Sequence, residues 1–468
     1  MPHTVPLIQH LLAESFDFLA LHAAHPQRYP CLLESVSGKA EADGQARYDI
    51  LFAFPGERLT LTESALLSDA DSSVATHDFL NQLDHCWQSE SASLSDTCDL
   101  PFQGGWFVYL GYELAHQVEP SLPLLKEVVV NDVAMPVACA IRIPVAIIQD
   151  HQTQQCTLIA EAGHEEQLSI VLEDIAKLEL MTQGTQDGPD NSLIIGEIKE
   201  DAPEQFLAGV ERIKDYIVEG DVFQVNLSRL WSAQLERDVT AHALYQRLRQ
   251  HNPAPFAGLF VFNEQTALIS SSPERLVRVR GDIVDTRPIA GTRSRSNELD
   301  QDALLLQTLI THPKERAEHI MLIDLERNDL GRICVPGSVH VDEMMVVESY
   351  AHVHHIVSNV QGRRSAGVTP GDVLRAVFPG GTITGCPKVR CMEIISELEQ
   401  MPRGPYTGAM GYLNRDGSMD FNIMIRSMLK RGDTLSFRAG AGIVADSVAI
   451  DELAETRAKA RGLLLALS

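Results

Sequence analysis

Two pairs of glutamates stand at helical spacing in distant parts of the chain. Glu315 and Glu318 are three residues apart in one predicted helix, and Glu452 and Glu455 repeat this spacing near the C-terminus. Side chains three residues apart share one face of an α-helix, so each pair can present two carboxylates together. Oxygen-only donors favour Mg²⁺, which keeps some waters and accepts an anionic ligand. The alternative is that these glutamates are solvated and pair with basic neighbours such as Lys314.

A glycine-rich segment precedes a further predicted helix and could hold an anion. It reads Phe378-Pro-Gly-Gly-Thr-Ile-Thr-Gly-Cys-Pro-Lys-Val-Arg390, and apolar residues follow at helical spacing over 389–398. Glycines let backbone N–H groups approach a ligand, and a helix start carries unpaired N–H groups and partial positive charge. The segment therefore suits a carboxylate or a phosphate, although Pro387 is also typical of an ordinary helix start.

Three other polar positions have both a catalytic and a structural interpretation. Glu274 is followed directly by an arginine, so it is either an ion-pair partner or an acid held for proton transfer. Arg426 lies in an apolar run, where a guanidinium needs a partner that a carboxylate ligand would supply in bidentate fashion. In a strand, His355 faces away from His352 and His354, which argues against a metal site of three histidines and leaves either a single catalytic histidine or a core histidine with its hydrogen bonds satisfied.

Strands and helices must position these groups, and they do not alternate as parallel βαβ units require. The fold class is therefore predicted to be α+β. A helix is expected to end at Gly220, and a hairpin turn is expected at Gly281-Asp282. The main segments with strand-like patterns lie at 48–54, 137–148, 223–231 and 276–287, and those with helical patterns lie at 202–219, 314–325 and 448–467.

Composition and charge limit the class of protein. The chain has 468 residues, of which 44% are hydrophobic and 22% are charged, as in globular proteins of two or three structural units. A formal net charge of −26 argues against a nucleic-acid partner, because phosphate binding needs a basic surface. No apolar run is long enough to span a bilayer, and no export signal is visible. Eight scattered cysteines favour a cytoplasmic protein with reduced thiols.

Several short blocks in fixed order resemble the chorismate-utilising enzymes, a family that includes anthranilate synthase component I, aminodeoxychorismate synthase component I, isochorismate synthase and salicylate synthase. The resemblance is close from about residue 195 to the end and looser before it. Besides the glycine-rich segment, the blocks are Gly220-Asp-Val-Phe-Gln-Val-Asn-Leu-Ser228, Ser272-Pro-Glu-Arg275, Pro288-Ile-Ala-Gly-Thr292, Asp324-Leu-Glu-Arg-Asn-Asp-Leu-Gly-Arg332, Tyr406-Thr-Gly-Ala-Met-Gly-Tyr412 and Gly440-Ala-Gly-Ile-Val-Ala-Asp446.

This resemblance implies the anthranilate synthase component I type of fold, in which large antiparallel sheets pack as a sandwich with flanking helices. It implies an N-terminal region of that type at 1–180 and a chorismate-binding catalytic domain at 194–468. The polar segment at 181–193, with Gly, Pro and Asp, is the best candidate for the linker between them.

The resemblance also assigns roles to candidate residues around chorismate, which is a dianion. Mg²⁺ would be the cofactor and would bind the ring carboxylate, which offsets the acidic charge of the chain locally. The expected metal ligands are Glu315, Glu318, Glu452 and Glu455. Glu274 would be the general acid for the departing C4 hydroxyl, and His355 would lie near the ring. Other residues expected around the substrate are Tyr406, Arg426, Gly440, Ala441 and Gly442 at the enolpyruvyl carboxylate, Lys459 beside the metal, and Thr382 and Lys388.

Gln224 occupies a position where family members that add water carry a lysine base. Because an amide cannot deprotonate water, Gln224 favours ammonia, which is already a nucleophile when neutral. The sequence has no Gly-x-Cys-x-Gly glutaminase signature. The resemblance therefore implies that ammonia comes from a separate glutamine amidotransferase subunit in a heterodimer, or from solution at high pH.

Within the family, the glycine-rich segment resembles aminodeoxychorismate synthase component I, because anthranilate synthases usually have Pro-Ala-Gly-Thr there. The stretches at 101–105 and 110–113 agree with this assignment. Ala290 departs from it, since well-known aminodeoxychorismate synthases have a lysine there that attacks C2, whereas alanine is typical of anthranilate synthases. Glu34 and Ser35 also resemble the element that binds tryptophan in anthranilate synthases, although some aminodeoxychorismate synthases have a related pocket.

The resemblance thus predicts amination of chorismate at C4, toward 4-aminobenzoate and folate. The alternative is anthranilate synthase component I, which would release pyruvate and serve tryptophan synthesis. A third hypothesis is a non-catalytic chorismate-binding subunit, which the complete set of four glutamates argues against.

Overall fold

The fold is described by a computed structural model of the chain. The described residues are 7–13, 15–36, 47–63, 65–69, 76–91, 99–122, 135–182, 193–295, 298–349 and 353–468. The strands, in chain order, are β1 Leu7–Leu12, β2 Cys31–Glu34, β3 Tyr48–Ala53, β4 Arg58–Leu61, β5 Leu66–Ser68, β6 Gly105–Leu110, β7 Ala138–Ile143, β8 Val145–Asp150, β9 Gln155–Glu161, β10 Ile194–Glu200, β11 Gln224–Leu235, β12 Phe256–Val261, β13 Thr266–Ser272, β14 Arg275–Arg280, β15 Ile283–Arg287, β16 Ile289–Ser294, β17 His340–Ser349, β18 Val353–Arg363, β19 Gly385–Cys386, β20 Ala409–Asn414, β21 Met419–Ile423, β22 Ser427–Arg431 and β23 Thr434–Ile443.

Helices flank these strands, and two short 3₁₀ turns lie at Tyr112–Leu114 and Gly381–Ile383. The α-helices are α1 Phe18–Ala24, α2 Phe79–Glu90, α3 Ala115–Val118, α4 Glu165–Thr182, α5 Pro203–Glu219, α6 Ala241–His251, α7 Leu299–Thr311, α8 Pro313–Gly331, α9 Pro370–Val377, α10 Lys388–Glu399 and α11 Ala449–Leu467. None of the helices in the described part of the chain is long and apolar enough to cross a membrane.

The strands form two large sheets, and the strand pairs among the described residues are antiparallel. The first sheet has the order β1-β9-β8-β3-β2-β12-β13-β22-β23-β11-β10, with β19 paired to β11. The second has the order β16-β18-β15-β14-β21-β20-β6-β7-β4-β5, with β17 paired to β18. The α+β class is therefore confirmed.

Each sheet contains strands that precede the predicted linker in the chain and strands that follow it. In the first sheet β2 pairs with β12, and in the second β6 pairs with β20. The boundaries 1–180, 181–193 and 194–468 stay a prediction, and residues 183–192 lie outside the described residues.

The two sheets pack face to face through an aromatic core, which confirms the predicted sandwich. Phe107 of β6 lies 5.5 Å from Phe52 of β3 and 5.0 Å from Phe260 of β12, measured between ring centroids. All three rings are fully buried. On its outer face the first sheet is covered by α1, α4, α6 and α11, and the second is covered by α2, α8 and α9. Burial of apolar side chains on both faces of each sheet is the main force that holds this sandwich together.

Local sequence signals set several boundaries. Helix α5 ends at Gly220, whose φ of 84° is readily available to glycine. Strands β14 and β15 form the predicted hairpin around Gly281. The apolar run at 137–148 forms two strands rather than one, because Pro144 interrupts it and β7 and β8 then enter different sheets.

Candidate active site

Two glycines of β23 let polar side chains lie directly against its backbone. Gly440 pairs with Ser228 and Gly442 pairs with Asn226 across β11, so both glycines face the same side as Gln224. An added Cβ at Gly440 would lie 2.9 Å from the hydroxyl of Tyr406. An added Cβ at Gly442 would collide with the amide nitrogen of Gln224. The glycines therefore bring the Tyr406 hydroxyl and the Gln224 amide to one face of the first sheet.

Arg426 lies between β21 and β22 in a strained backbone conformation. Its φ is 53°, which is unusual for a residue with a side chain, and such strained residues cluster at functional sites. Its guanidinium has no hydrogen bond or ion pair within 4 Å among the described residues. Burial lowers the pKa of Arg426, while the charge of Glu274 opposes this shift. Arg426 is half-buried, and a cation partly removed from water without a close partner is costly, so the site is suited to an anionic ligand.

Glu274 is held in the short connection between β13 and β14, and its side chain is 5% exposed. Its backbone N–H donates to the Ser272 hydroxyl at 3.2 Å, and its carbonyl accepts from the Ile423 N–H at 3.0 Å. Burial raises the pKa of Glu274 to about 7, against smaller lowering effects from neighbours that include Lys459 and Arg426. A carboxyl group that titrates near neutral pH can give up or take a proton during a reaction.

Several buried polar atoms of the candidate residues lack a hydrogen-bond partner among the described residues. They are Oε1 of Glu274, Oε1 of Gln224 and Oδ1 of Asn226, whereas the Thr382 hydroxyl forms a hydrogen bond to the Glu274 carboxyl group that lowers its pKa. Buried polar atoms in proteins are nearly always hydrogen bonded, so such a group of atoms marks a place for a polar ligand or for water. Sequence analysis did not single out Asn226, although it lies two residues after Gln224 and therefore faces the same side of β11.

His355 lies on β18 beside β16, where it is 1% exposed. Burial and the nearby charge of Arg426 lower the pKa of His355 to about 3, so the imidazole is neutral at physiological pH. The backbone of Gly291 forms a hydrogen bond to this ring. Ala290, the preceding residue, is buried on β16 and brings no amine to the site.

The two glutamate pairs lie on α8 and α11, as their spacing predicts. Glu315 approaches β16, because an added Cβ at Gly291 would lie 2.9 Å from its Oε2 atom. Glu452 is only 9% exposed, and Glu455 forms a 2.7 Å ion pair with Lys459. Lys459 in turn lowers the pKa of Glu274 against the effect of burial, so α11 contributes charge to this site.

Within the described ranges, no three His, Cys, Asp or Glu side chains are close enough together to hold a metal ion. The glutamates therefore form no closed protein cage. Their all-oxygen chemistry still fits Mg²⁺, which commonly uses one or two carboxylates together with water and oxygen atoms of the substrate. The set of Glu315, Glu318, Glu452 and Glu455 as metal ligands stays a prediction.

The glycine-rich segment leads into α10, but its glycines mainly permit close packing. An added Cβ at Gly380 would lie 2.8 Å from a methyl group of Ile423, and one at Gly381 would collide with Leu325. The ammonium of Lys388, at the start of α10, forms an ion pair with the buried carboxylate of Asp329. Sequence analysis did not show that this charge is already paired, and the role of Lys388 around a substrate stays a prediction.

Glu34 and Ser35 line a second pocket, between the two sheets and apart from the glutamate pairs. It contains about 570 Å³ of empty space, part of which is open to solvent. Glu34 accepts a 2.6 Å hydrogen bond from the Tyr245 hydroxyl. Burial, and then the charge of Asp49, raise the pKa of Glu34 to about 7. Other lining residues, which sequence analysis did not identify, include Tyr48, Phe256, Arg275, Met410 and Asn422.

Comparisons with known proteins agree over most of the chain. A family model described as chorismate binding enzyme matches residues 35–465. The chain is 41% identical over 375 residues to aminodeoxychorismate synthase component 1 of Bacillus subtilis, covering 78% of this chain and 77% of that protein. It is 39% identical over 442 residues to anthranilate synthase component 1 of Thermus thermophilus, covering 93% and 91% of the two chains.

A solved structure gives the same result. The crystal structure of anthranilate synthase component I from Streptococcus pneumoniae matches with a TM-score of 0.76 at 32% identity, over 89% of this chain and 92% of that one. The resemblance in the sequence blocks, the sandwich fold and these matches lead to one conclusion: the chain belongs to the family of chorismate binding enzymes.

Proposed function

We propose that this chain is aminodeoxychorismate synthase component I, which replaces the C4 hydroxyl of chorismate with an amino group in a Mg²⁺-dependent reaction. The observation that carries the proposal is the buried Glu274, with a pKa of about 7, together with the half-buried Arg426, whose guanidinium has no close partner among the described residues. Together they provide an acid for a leaving hydroxyl and a receptor for a carboxylate. The high identity to the Bacillus subtilis relative of that name supports the choice.

Substrate binding begins at Arg426, whose planar guanidinium can donate two parallel hydrogen bonds to the enolpyruvyl carboxylate. The Tyr406 hydroxyl lies against β23 at Gly440 and can donate a further hydrogen bond to the same group. Backbone N–H groups of Ala441 and Gly442 are the remaining candidates at this end of the substrate. His355, neutral at physiological pH, adds no charge beside the ring.

The departing C4 hydroxyl needs a proton, and Glu274 in its acid form can donate one. Because its pKa is about 7, a substantial fraction of Glu274 is protonated at neutral pH, unlike an ordinary glutamic acid. Thr382 lies beside it, and its hydroxyl forms a hydrogen bond to the Glu274 carboxyl group. That hydroxyl can hold the leaving oxygen or orient the carboxyl group.

Mg²⁺ would be held by Glu315, Glu318, Glu452 and Glu455, and when bound it would neutralise and polarise the ring carboxylate of chorismate. The chain's own contribution nearby is Lys459, which Glu455 holds at 2.7 Å. Its positive charge favours the ionised form of Glu274 and thus limits how far burial raises the pKa of that group.

Gln224 would line the approach of the nucleophile. Its amide has no basic lone pair to deprotonate water, but the buried Oε1 atom can accept a hydrogen bond from ammonia. We expect the reaction to take place in the cytoplasm. We expect a separate glutamine amidotransferase subunit to supply ammonia in a heterodimer.

Substitution of Ala290 by lysine tests the chemistry at C2. Alanine has no amine, so no lysine adduct can form at residue 290. If C2 of chorismate is attacked, a different nucleophile must attack it. The variant Ala290→Lys is expected to form a covalent adduct with chorismate, seen as a mass increase of the intact protein. An Ala290→Met variant, similar in length but without an amine, is the matched control. The absence of any mass increase would contradict an accessible C2 atom beside residue 290.

Loss of one predicted metal ligand should be measurable as a lower affinity for Mg²⁺, without a full kinetic study. Glu452→Gln removes a charged donor while keeping the shape of the side chain, so Mg²⁺ affinity should fall about tenfold or more. Calorimetric titration of Mg²⁺ into the protein with chorismate present measures this change. Asp451→Asn, an exposed neighbour in the same helical turn, is the control and should leave affinity unchanged. Equal affinity of the wild type and Glu452→Gln would remove Glu452 from the ligand set.

The second candidate function is anthranilate synthase component I, which Ala290 and the long match to the Thermus thermophilus relative favour. We assign the pocket at Glu34 and Ser35 to tryptophan, but this assignment does not separate the two synthases, since both kinds of enzyme can contain such a pocket. Incubation of the chain with chorismate, Mg²⁺ and ammonium does separate them. A product that a separate lyase converts to 4-aminobenzoate is expected, whereas fluorescent anthranilate with pyruvate release would establish the second candidate.

A further inference from the structure

We propose that Arg403 is a positioning residue that holds three substrate-contacting segments in register while itself contacting no substrate. The inference rests on the proposed function for the identity of those segments. No block singled out in the sequence includes Arg403, and it lies three residues before Tyr406 in the turn that follows α10. It is 3% exposed.

Protein acceptors use all the hydrogen-bonding capacity of this guanidinium. Nε and Nη2 donate to the two carboxylate oxygens of Glu399 at 3.0 and 2.7 Å. Nη2 also donates to the carbonyl of Asn226 at 2.7 Å. Nη1 donates to the carbonyl of Ile383 at 3.1 Å and to the hydroxyl of Thr407 at 3.3 Å. An arginine has five N–H donors, so none is left for a ligand and any effect on substrate must be indirect.

The last three acceptors belong to three different parts of the proposed site. Asn226 lies on β11 two residues after Gln224, Ile383 follows Thr382 directly, and Thr407 follows Tyr406 directly. One planar guanidinium therefore fixes the distances between these three segments. The ring of Tyr406 also lies against Arg403, with the guanidinium carbon 5.6 Å from its centroid.

Arg403 is itself held in place by two carboxylates. Burial opposes ionisation of Glu399, but the charges of Arg403 and Arg438 outweigh it and lower the pKa of Glu399. Glu399 also accepts hydrogen bonds from the backbone N–H and the hydroxyl of Ser228, both at 2.8 Å. On the main-chain side, the carboxylate of Glu113 accepts from the N–H groups of Arg403 and Gly404 at 2.7 and 3.0 Å. Side chain and backbone are thus anchored independently.

Pre-organisation explains why such an anchor matters for rate. A displacement of about 1 Å at a reacting centre can cost on the order of a hundredfold in rate. If the planar guanidinium of Arg403 were lost, the segments that contain Tyr406 and Thr382 could shift independently of each other. A lysine keeps the charge but has a single nitrogen, so it cannot reach all of these acceptors together.

The test measures steady-state chorismate consumption by Arg403→Lys and Thr407→Val, with Arg212→Lys on the exposed face of α5 as the control. In Arg403→Lys the KM values for chorismate and for ammonia are expected to rise about tenfold each, because both the Tyr406 and the Gln224 segments lose an anchor. Thr407→Val removes the hydroxyl that accepts from Arg403 and donates to the Tyr406 carbonyl, and it leaves the anchor of the Gln224 segment in place, so only the KM for chorismate should rise. Arg212→Lys should behave as the wild type.

A merely structural role would have a different signature. It would reduce the fraction of folded enzyme, which lowers kcat and leaves both KM values unchanged, and that result in either variant would overturn the inference. Thr407→Val keeps the buried ion pairs and provides the answer if Arg403→Lys fails to fold. Because consumption of chorismate is measured, the result does not depend on whether the product is aminated at C4 or C2. Failure of the proposed product and failure of this inference are therefore distinguishable.

Discussion

Glu274→Gln is expected to lower kcat by about 10²–10⁴-fold, because the amide cannot donate a proton to the departing hydroxyl. The substitution preserves size and the buried position between β13 and β14, so chorismate binding should change little. Steady-state rates with ammonia as the nitrogen source measure the effect. Glu393→Gln, a change at a partly exposed glutamate of α10, is the control and should retain the wild-type rate.

The pH dependence of the wild type follows from the same group. The reaction needs the acid form of Glu274, whose pKa is about 7, so kcat/KM should fall as the pH rises above 7. The fraction of ammonium present as neutral ammonia rises with pH. The total ammonium concentration must therefore be adjusted so that the concentration of neutral ammonia is the same at every pH. A wild-type profile that stays flat through this range would contradict Glu274 as the general acid.

Glu274→Gln should change stability in the opposite direction from activity. The folded-state pKa of Glu274 lies above its ordinary value of 4.5, so the folded state binds the proton more tightly than the unfolded chain. Its contribution to stability is therefore fully present below pH 4.5 and is lost as the pH rises through 7. Glu274→Gln removes this loss and should be more stable than the wild type above pH 7 by up to about 3 kcal/mol. Urea unfolding of both proteins measures it, and equal stability at high pH would contradict the buried, shifted carboxyl group.

Arg426→Met is expected to raise the KM for chorismate about a hundredfold, since two charge-assisted hydrogen bonds to the enolpyruvyl carboxylate are lost. Arg426→Lys should have an intermediate effect of about tenfold, because a lysine keeps the charge without the fork. The ligand-free protein should be unchanged or slightly more stable after Arg426→Met. The reason is that the guanidinium has no close partner among the described residues, and burying such a group is costly.

Arg275 is a matched control for the expected result with Arg426→Met, in which chorismate binding weakens but stability does not fall. Arg275 is buried, whereas Arg426 is half-buried, and the Arg275 guanidinium forms two hydrogen bonds to Asp420 at 2.9 and 3.1 Å. Arg275→Met leaves a carboxylate without its partner and should destabilise the protein by about 3 kcal/mol. Thermal and urea unfolding of the two variants give the comparison. A similar loss of stability in Arg426→Met would show that Arg426 has a structural partner rather than a place for an anion.

Local signals in the sequence were enough to predict elements whose boundaries depend on one or two residues. Gly220 ends α5 and Gly281 turns the β14–β15 hairpin, and both glycines have positive φ values. The run at 137–148 was harder, because alternation cannot show that the chain passes from one sheet to the other at Pro144. Sheet order could not be predicted from pattern either, since β2 pairs with β12 and β6 with β20 across long stretches of chain.

The residues of the candidate site also differ in how far the sequence predicts their roles. A charged residue in an apolar run predicts a ligand-binding role for Arg426, and the structure places it within electrostatic reach of Glu274 and His355. Lys388 is predicted from its place in the glycine-rich segment before α10 and from the resemblance, yet its charge pairs with Asp329, which no local pattern reveals. No local pattern predicts the role of Arg403, because its hydrogen-bond partners lie on four separate segments.

The position of the new nitrogen tests the central claim most directly. The purified chain is incubated with chorismate, Mg²⁺ and ¹⁵N-labelled ammonium, and the carbon that carries the label is identified by ¹⁵N-edited NMR before any lyase is added. We expect the label on C4 of a product that keeps its enolpyruvyl side chain. Label on C2, with pyruvate released and an aromatic ring formed, would contradict C4 amination by this chain.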